Sequence, residues 1–198
     1  VRTDLPDSLD LDALLPTAAR GEVELVADGE HFDRVVVEGM LAATSSLEVM
    51  TADLKAMLVP GRTGRSAPSI IQHLAKLAKA GVEVRVLHAS VPSSAALDEL
   101  KKLGRGVDRL TLRRCPRVHA KTVIVDAGRM YLGSANVTGA GLGAKGATRR
   151  NFELGVITDA GDLIDAVLER FNRLWEGAHC DGCGRRDVCP HPLEEPDL

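Results

Sequence analysis

His119 and Lys121 stand two residues apart in the run His119-Ala-Lys121-Thr-Val-Ile-Val-Asp126. Its β-branched residues predict a strand, and residues i and i+2 of a strand share a face. An imidazole and an ammonium are thus delivered side by side. The imidazole can act as nucleophile or proton carrier, and the fixed ammonium can hold a phosphate. Tyr131-Leu-Gly133-Ser134-Ala-Asn136 follows. Ser134 and Asn136 repeat the i, i+2 relation with a hydroxyl and an amide, both able to donate to phosphate oxygens. Taken singly, His119 would read as a hydrogen-bonded structural histidine and Lys121 as an edge-strand charge. The full order, running through Asp126 to Asn151-Phe-Glu153, is what makes the pattern specific.

The elements that must position these residues follow from periodicity. Strands are expected over 22–27, 46–51, 82–87, 107–113, 119–126, 130–133 and 151–158, with a hairpin at Asp126-Ala-Gly128. Helical spacing is expected over 31–43, 69–80, 93–103 and 162–175. In the second of these, Ile70, Leu74, Leu77 and Ala78 face inward and Gly81 ends the helix. The segment 53–67, with Pro60, Gly61 and Gly64, reads as a loop, and Gly139–Ala147 as a loose Gly-rich one. Alternating strands and helices predict an α/β layered domain over 21–176. Hairpins near the site make its sheet mixed. Residues 1–20 are an acidic, Pro-containing arm, and 177–198 a Cys-rich tail. No internal repeat is visible.

The chain has 198 residues, enough for one core-bearing domain. Apolar residues make up 44% and aromatics 3%, so the core rests on Val, Leu, Ile and Ala. So few aromatics argue against a base-stacking platform. No apolar run approaches the ~20 residues that span a bilayer. No secretory leader is read, and a cytoplasmic location is expected. The chain starts with Val, which leaves room for an upstream segment. Net charge is −3, but cations concentrate around His119. Arg113, Arg114 and Arg117 precede it; Lys145, Arg149 and Arg150 follow Asn136. These six are the expected polyanion contacts, against the plainer reading of a solvated surface.

The motif H-A-K-T-V-I-V-D followed by G-S-A-N resembles the phospholipase D superfamily, whose signature is His-x-Lys-x4-Asp and then Gly-Ser-x-Asn. The resemblance runs from about Val23 to Trp175 and is similar in layout to small single-motif bacterial endonucleases. It implies a phospholipase D-like fold and phosphodiester cleavage without a catalytic metal. It also implies that Lys121 and Asn136 grip phosphate oxygens, with Ser134 assisting, and that Glu153 orients the histidine. Asp126 points away from His119 and is assigned to holding the following turn.

Cleavage needs a nucleophile, a proton for the leaving oxygen and cations for the charged oxygens. His119 can attack phosphorus and form a phosphohistidine. A second, protonated histidine must serve the leaving group, and His31, His73 and His88 lack any such context. The family's solution is two motifs facing each other across a twofold axis, so with one motif per chain the resemblance implies a homodimer with both His119 side chains at its interface. Nucleic acid is the expected substrate, DNA before RNA, within a larger defence or repair system. A phospholipase or phosphatidyl transferase, or a non-catalytic nucleic-acid-binding module, are the alternatives.

The tail carries His179-Cys180-Asp-Gly-Cys183 and then Cys189-Pro-His191. C-x2-C with glycines is a metal knuckle, and Cys115 lies four residues before His119. The expected site is structural zinc or an iron–sulfur cluster on Cys115, Cys180, Cys183 and Cys189, with His179 or His191 as alternative ligands. A disulfide is the competing reading. The layout of Cys115 plus C-x2-C-x5-C resembles the iron–sulfur staple of AddB-type nuclease domains.

Overall fold

The computed structural model describes residues 21–60, 67–103 and 107–196. The expected arm over 1–20 and part of the 53–67 loop lie outside them. Seven strands form one sheet: β1 (Val23–Ala27), β2 (Ser46–Thr51), β3 (Glu83–His88), β4 (Leu110–Arg114), β5 (Thr122–Val125), β6 (Arg129–Gly133) and β7 (Leu154–Thr158). Their order is β1-β7-β6-β5-β2-β3-β4. β2, β3 and β4 run parallel, and every other neighbouring pair is antiparallel. Three helices pack on it: α1 (Ile70–Lys79), α2 (Ser94–Leu103) and α3 (Gly161–Trp175). The fold is the mixed α/β layer that the alternation implied.

Period-two alternation divides the core between the two sheet faces. Leu47, Val49, Val84, Val86 and Val123 pack with Ile70 and Leu74 of α1 and Leu100 of α2. On the other face Met50 and Leu87 meet Phe171 and Trp175 of α3, and Ile124 and Met130 meet Ile164. Burying Phe171 completely is worth about 2–3 kcal/mol. The Arg85 guanidinium lies 5.0 Å from the Phe171 ring centroid and donates to Glu48 Oε1 at 3.0 Å. Its half-buried charge is therefore both stacked and paired.

Two expected elements differ. The helix over 31–43 is split into a π-helical turn, Phe32–Val37, and a 3-10 turn, Met40–Ala42. Gly39 lies between them, so close to the preceding turn that a Cβ would stand 2.4 Å from the Val35 carbonyl oxygen. The strand over 119–126 pairs regularly only over Thr122–Val125. Lys121 retains one rung, its carbonyl accepting from Gly133 N at 3.1 Å. His119 and Ala120 lie beyond the ladder because β2 ends at Thr51.

The Gly-rich segment is also tighter than expected. Leu142 is buried, and its N–H donates to Thr138 O at 2.9 Å. The Thr138 hydroxyl caps Gly141 N at 3.0 Å, and Gly143 turns at φ 71° against Gly29. One buried leucine pins the run.

Topology gathers the strand ends. The C-terminal ends of β1, β2, β3, β4 and β6 and the N-terminal ends of β5 and β7 share one rim of the sheet. Asp126 closes β5 at the opposite rim, roughly 16 Å from Lys121 at strand rise. Its turn has φ 52° at Asp126 and 49° at Ala127, as a tight hairpin requires. The carboxylate accepts from Thr44, Ser45 and Ser46 N–H at 2.7–3.1 Å and from the Thr44 and Ser45 hydroxyls. Thus it clamps the loop before β2 as well as sitting in its own turn. Burial alone would raise its pKa. The bonds from Ser46, Ser45 and Thr44 outweigh that and hold it well below the usual carboxylate range.

A group depressed on folding stabilises above its unfolded pKa and loses that contribution as pH falls through the folded value. Asp126→Ala should cost about 2–3 kcal/mol at neutral pH in urea unfolding, since a charged acceptor of several bonds is lost. The gap between wild type and variant should narrow below pH 3.8, the ordinary value of this carboxyl. An equal gap at pH 7 and at the most acidic pH where both remain folded would show that ionisation of Asp126 is not what stabilises the loop.

Candidate active site

Lys121 and His119 meet at the site rim. The Lys121 ammonium donates to His119 O at 2.7 Å and lies 3.2 Å from both ring nitrogens of His119. An ammonium can only donate, so the ring nitrogen facing it offers a lone pair. Lys121 is buried and His119 exposed. The cation is thus fixed by the fold, while the imidazole remains open to solvent and to any incoming group.

Asn136 closes the site from β6. Its carboxamide oxygen accepts from Ala52 N at 3.0 Å, Asp53 N at 3.2 Å and Thr51 Oγ1 at 3.2 Å. Those donors fix which end of the amide is oxygen. Its NH2 then has no protein acceptor among the described residues. Two N–H donors are left for a ligand at the same rim as Lys121.

Ser134 and Glu153 form a bonded pair. The Ser134 hydroxyl donates to Glu153 Oε2 and accepts from Leu154 N at 3.1 Å. Glu153 Oε1 accepts from Asn151 Nδ2 at 2.9 Å, and Glu153 N donates to Asp28 Oδ1 at 2.9 Å. Glu153 is buried with its carboxylate occupied by Ser134 and Asn151. No hydrogen bond joins it to His119 among the described residues.

Sequence reasoning missed Tyr131 and His31. Tyr131 OH accepts from Ala135 N at 3.2 Å, inside the turn between Ser134 and Asn136. His31 Nδ1 donates to Asp28 O at 2.9 Å, so its Nε2 is the acceptor for Tyr131 OH at 3.0 Å. The tyrosine fits because β6 and β7 meet at Gly133 and Gly155. A Cβ on Gly155 would stand 2.3 Å from the tyrosine ring, and one on Gly133 2.3 Å from its hydroxyl. The signal available in the sequence was a glycine in each of two neighbouring strands. Burial, with the nearby Glu153 charge, pushes the Tyr131 phenol up to about 12, against the lowering effect of the Ala135 bond. It is a support for the turn, not a proton source at neutral pH. His88, also buried, donates from Nδ1 to Ser90 O at 2.8 Å, and burial lowers its pKa.

The expected cationic contacts separate into two sets. Arg113 lies over Trp175, 4.7 Å from its ring centroid, and donates to Trp175 O at 2.8 Å. Arg114 donates to Ala89 O at 3.2 Å and pairs with Glu194. Both are engaged within the fold, Arg113 by α3 and by Glu195 of the tail, and Arg114 by the loop after β3 and by Glu194. Arg117, Lys145 and Arg149 are exposed, and Arg150 is half-buried, packed over Gly29.

The four cysteines are not bonded to one another, and all are half-buried. All four line one cavity of about 300 Å³, together with His119 and His179. His191 is exposed and does not line it. Among the described residues, no three His, Cys, Asp or Glu side chains are drawn together into a group that could hold a single metal ion.

The family model described as "Cardiolipin synthase, PLD-like domain" matches residues 36–175. The chain belongs to the phospholipase D-like family. The match covers β2 to β7 and α1 to α3, with every motif residue inside it and β1 outside. Among solved structures, Nuc from Salmonella typhimurium, titled a phospholipase D family member, aligns with a TM-score of 0.56 and 22% identity. The alignment covers 79% of this chain and 95% of that one. NucT from Helicobacter pylori aligns with a TM-score of 0.58 and 15% identity over 79% and 97%. TrmBL2, an archaeal chromatin protein described as binding DNA, aligns with a TM-score of 0.50 and 17% identity over 84% and 56%. At these identities the likeness is one of fold. No curated protein gives a significant match.

Gly155→Ala tests the tyrosine slot. The added methyl must displace the Tyr131 ring, and overpacking of this kind costs about 1–3 kcal/mol. Thermal unfolding should show a lowered Tm. An unchanged Tm would mean that the slot opens freely and that Tyr131 does not brace the 134–136 turn.

Proposed function

We propose that this chain is a phosphodiesterase that cleaves nucleic acid through a phosphohistidine, with the active site completed by a second copy of the chain. The observation that carries this reading is the trio at the rim. His119 presents an exposed imidazole, Lys121 a fixed ammonium against it, and Asn136 two N–H donors free of protein acceptors.

A His119 ring nitrogen attacks phosphorus and the P–O bond to the leaving group breaks. The leaving oxygen takes a proton from His119 of the partner subunit. That same imidazole then removes a proton from water as the water attacks the phosphohistidine, releasing His119 and a phosphate monoester. Lys121 and Asn136 hold the non-bridging oxygens as charge builds. Ser134 and Glu153 brace the turn that carries Asn136 rather than orienting His119 directly. Residues of this chain supply the nucleophile, acid and cation, so catalysis requires no metal.

One motif per chain supports a dimer, and so does the surface beside it. Leu25, Leu132 and Leu154 are exposed on neighbouring strands, and Val23 and Phe152 extend the patch. Leu25 and Leu132 both pair with Val156, which places them in one row on the α3 side of the sheet. This apolar strip borders Ser134 and Glu153 directly. A contiguous apolar patch at the margin of a half-site suits burial against a second copy.

A nucleic-acid substrate is favoured by cations exposed on the surface: Lys145 and Arg149, with half-buried Arg150 next to them, and Arg117, whose guanidinium also reaches Cys183. Among the described residues no helix is long and apolar enough to cross a membrane. DNA before RNA, and a place in a defence or repair system, remain part of the proposal.

His119→Ala should lower cleavage of plasmid DNA by on the order of 10³-fold, the range for losing a nucleophile and proton carrier. Wild-type activity should survive EDTA whenever circular dichroism shows the fold intact. Activity in the variant equal to wild type, or rescue by magnesium of a folded but EDTA-silenced enzyme, would sink the mechanism.

Leu25→Glu places a charge in the apolar strip, away from the trio. Light scattering should show the mass falling from dimer to monomer, with cleavage lost alongside. A monomeric wild type that is fully active would overturn the shared site.

A further inference from the structure

The thiol-lined cavity is a feature that phosphodiester chemistry leaves unused. Two anchors bring its walls together. Cys115 follows β4 directly, its N–H donating to His88 O at 2.8 Å, and a turn closes from Val118 N to Cys115 O at 2.9 Å. The tail is fastened to the same strand. Arg114 N donates to Glu194 O at 3.0 Å, and the Arg114 side chain pairs with the Glu194 carboxylate. These bonds position Cys180, Cys183 and Cys189 opposite Cys115 by protein contacts alone.

The knuckle itself is built for close approach. Gly177 turns at φ 78°, and a Cβ there would lie 3.4 Å from Cys180 Sγ. Gly182 turns at φ 67° between Cys180 and Cys183, and Cys183 N donates to Cys180 O at 3.3 Å. Both glycines adopt the left-handed region that other residues enter at a cost. The C-x2-C step thereby presents two sulfurs to one side.

Arg117 Nη1 donates to Cys183 Sγ at 3.6 Å, so one wall of the cavity sets a guanidinium against a sulfur. Metal coordination displaces the thiol protons.

Size distinguishes the centre. A tetrahedral zinc with Zn–S bonds of about 2.3 Å requires sulfurs about 3.8 Å apart. No group gathered for one ion exists among the described residues. All four cysteines line one cavity of about 300 Å³ instead. We propose that Cys115, Cys180, Cys183 and Cys189 bind an iron–sulfur cluster, a polynuclear centre whose iron atoms each take a cysteine thiolate. The cluster fills the cavity and ties the tail to the loop that leads into His119. This assignment stands independently of the phosphodiesterase reading.

The test is anaerobic reconstitution of the full chain with ferrous iron and sulfide. Expected are iron and acid-labile sulfide in equal amounts, and a visible absorption band bleached by dithionite. Cys115→Ser, Cys180→Ser, Cys183→Ser and Cys189→Ser should each lower bound iron several-fold. His179→Ala and His119→Ala should retain it, which separates this result from any loss of cleavage. Circular dichroism of each variant identifies one that fails to fold, and the remaining cysteine variants then decide. A colourless protein holding stoichiometric zinc that iron and sulfide do not replace would overturn the proposal. So would full iron binding in folded Cys115→Ser, or disulfides among these cysteines in protein kept under reducing conditions.

Discussion

Where β2 and β6 end, a single side-chain carbonyl holds two loops together. Asn136 Oδ1 accepts from the backbone of Ala52 and Asp53 and lies within bonding distance of the Thr51 hydroxyl. The parallel half of the sheet, β2 to β4, is thereby tied at its rim to the antiparallel half that carries β6 and β7. The constraint has a chemical consequence. With the oxygen used by the fold, the nitrogen has no protein acceptor among the described residues. One amide is thus a latch and, in the proposed reaction, a ligand group, which needs both an acceptor and donors on one side chain.

The surrounding supports are layered behind that latch. Tyr131 braces the Ser134–Asn136 turn from beneath, and His31 braces Tyr131. The glycine pair at Gly133 and Gly155 makes room for the ring. Glu153 gathers Ser134 and Asn151, and its own backbone is held by Asp28. Its buried members, His31, Tyr131 and Glu153, are stable there only because each has a partner. Those bonds brace the site rim on the β6–β7 side. His119, by contrast, lies beyond the end of its ladder and is exposed. Braced donors and a more accessible imidazole are the division of labour that the proposed covalent mechanism calls for.

Much of this was legible before the fold was known, and for local reasons. The strand at Ser46–Thr51 and the helix ending at Gly81 follow from hydropathy period and end signals. The imidazole–ammonium pair follows from i, i+2 geometry, which survives although the regular ladder begins only at Thr122. The helix over 31–43 was misread because periodicity is blind to close backbone packing at Gly39. The Gly-rich run looked loose because composition does not reveal that Leu142 is buried.

Sequence by itself determined the chemical set: His119, Lys121, Ser134 and Asn136 in one short order, four cysteines with a knuckle spacing, and an α/β alternation. These depend on neighbours a few residues apart, where backbone geometry is nearly fixed. Tertiary structure decided everything that depends on which distant elements meet. It put Asp126 at the far rim, clamping Thr44 to Ser46, and drew Arg113 and Arg114 inward to Trp175 and Glu194. It also set Tyr131 under the turn and brought Cys115 to the cavity shared with the tail thiols. Such contacts join residues tens of positions apart, and no local period or propensity encodes them; the sheet order does.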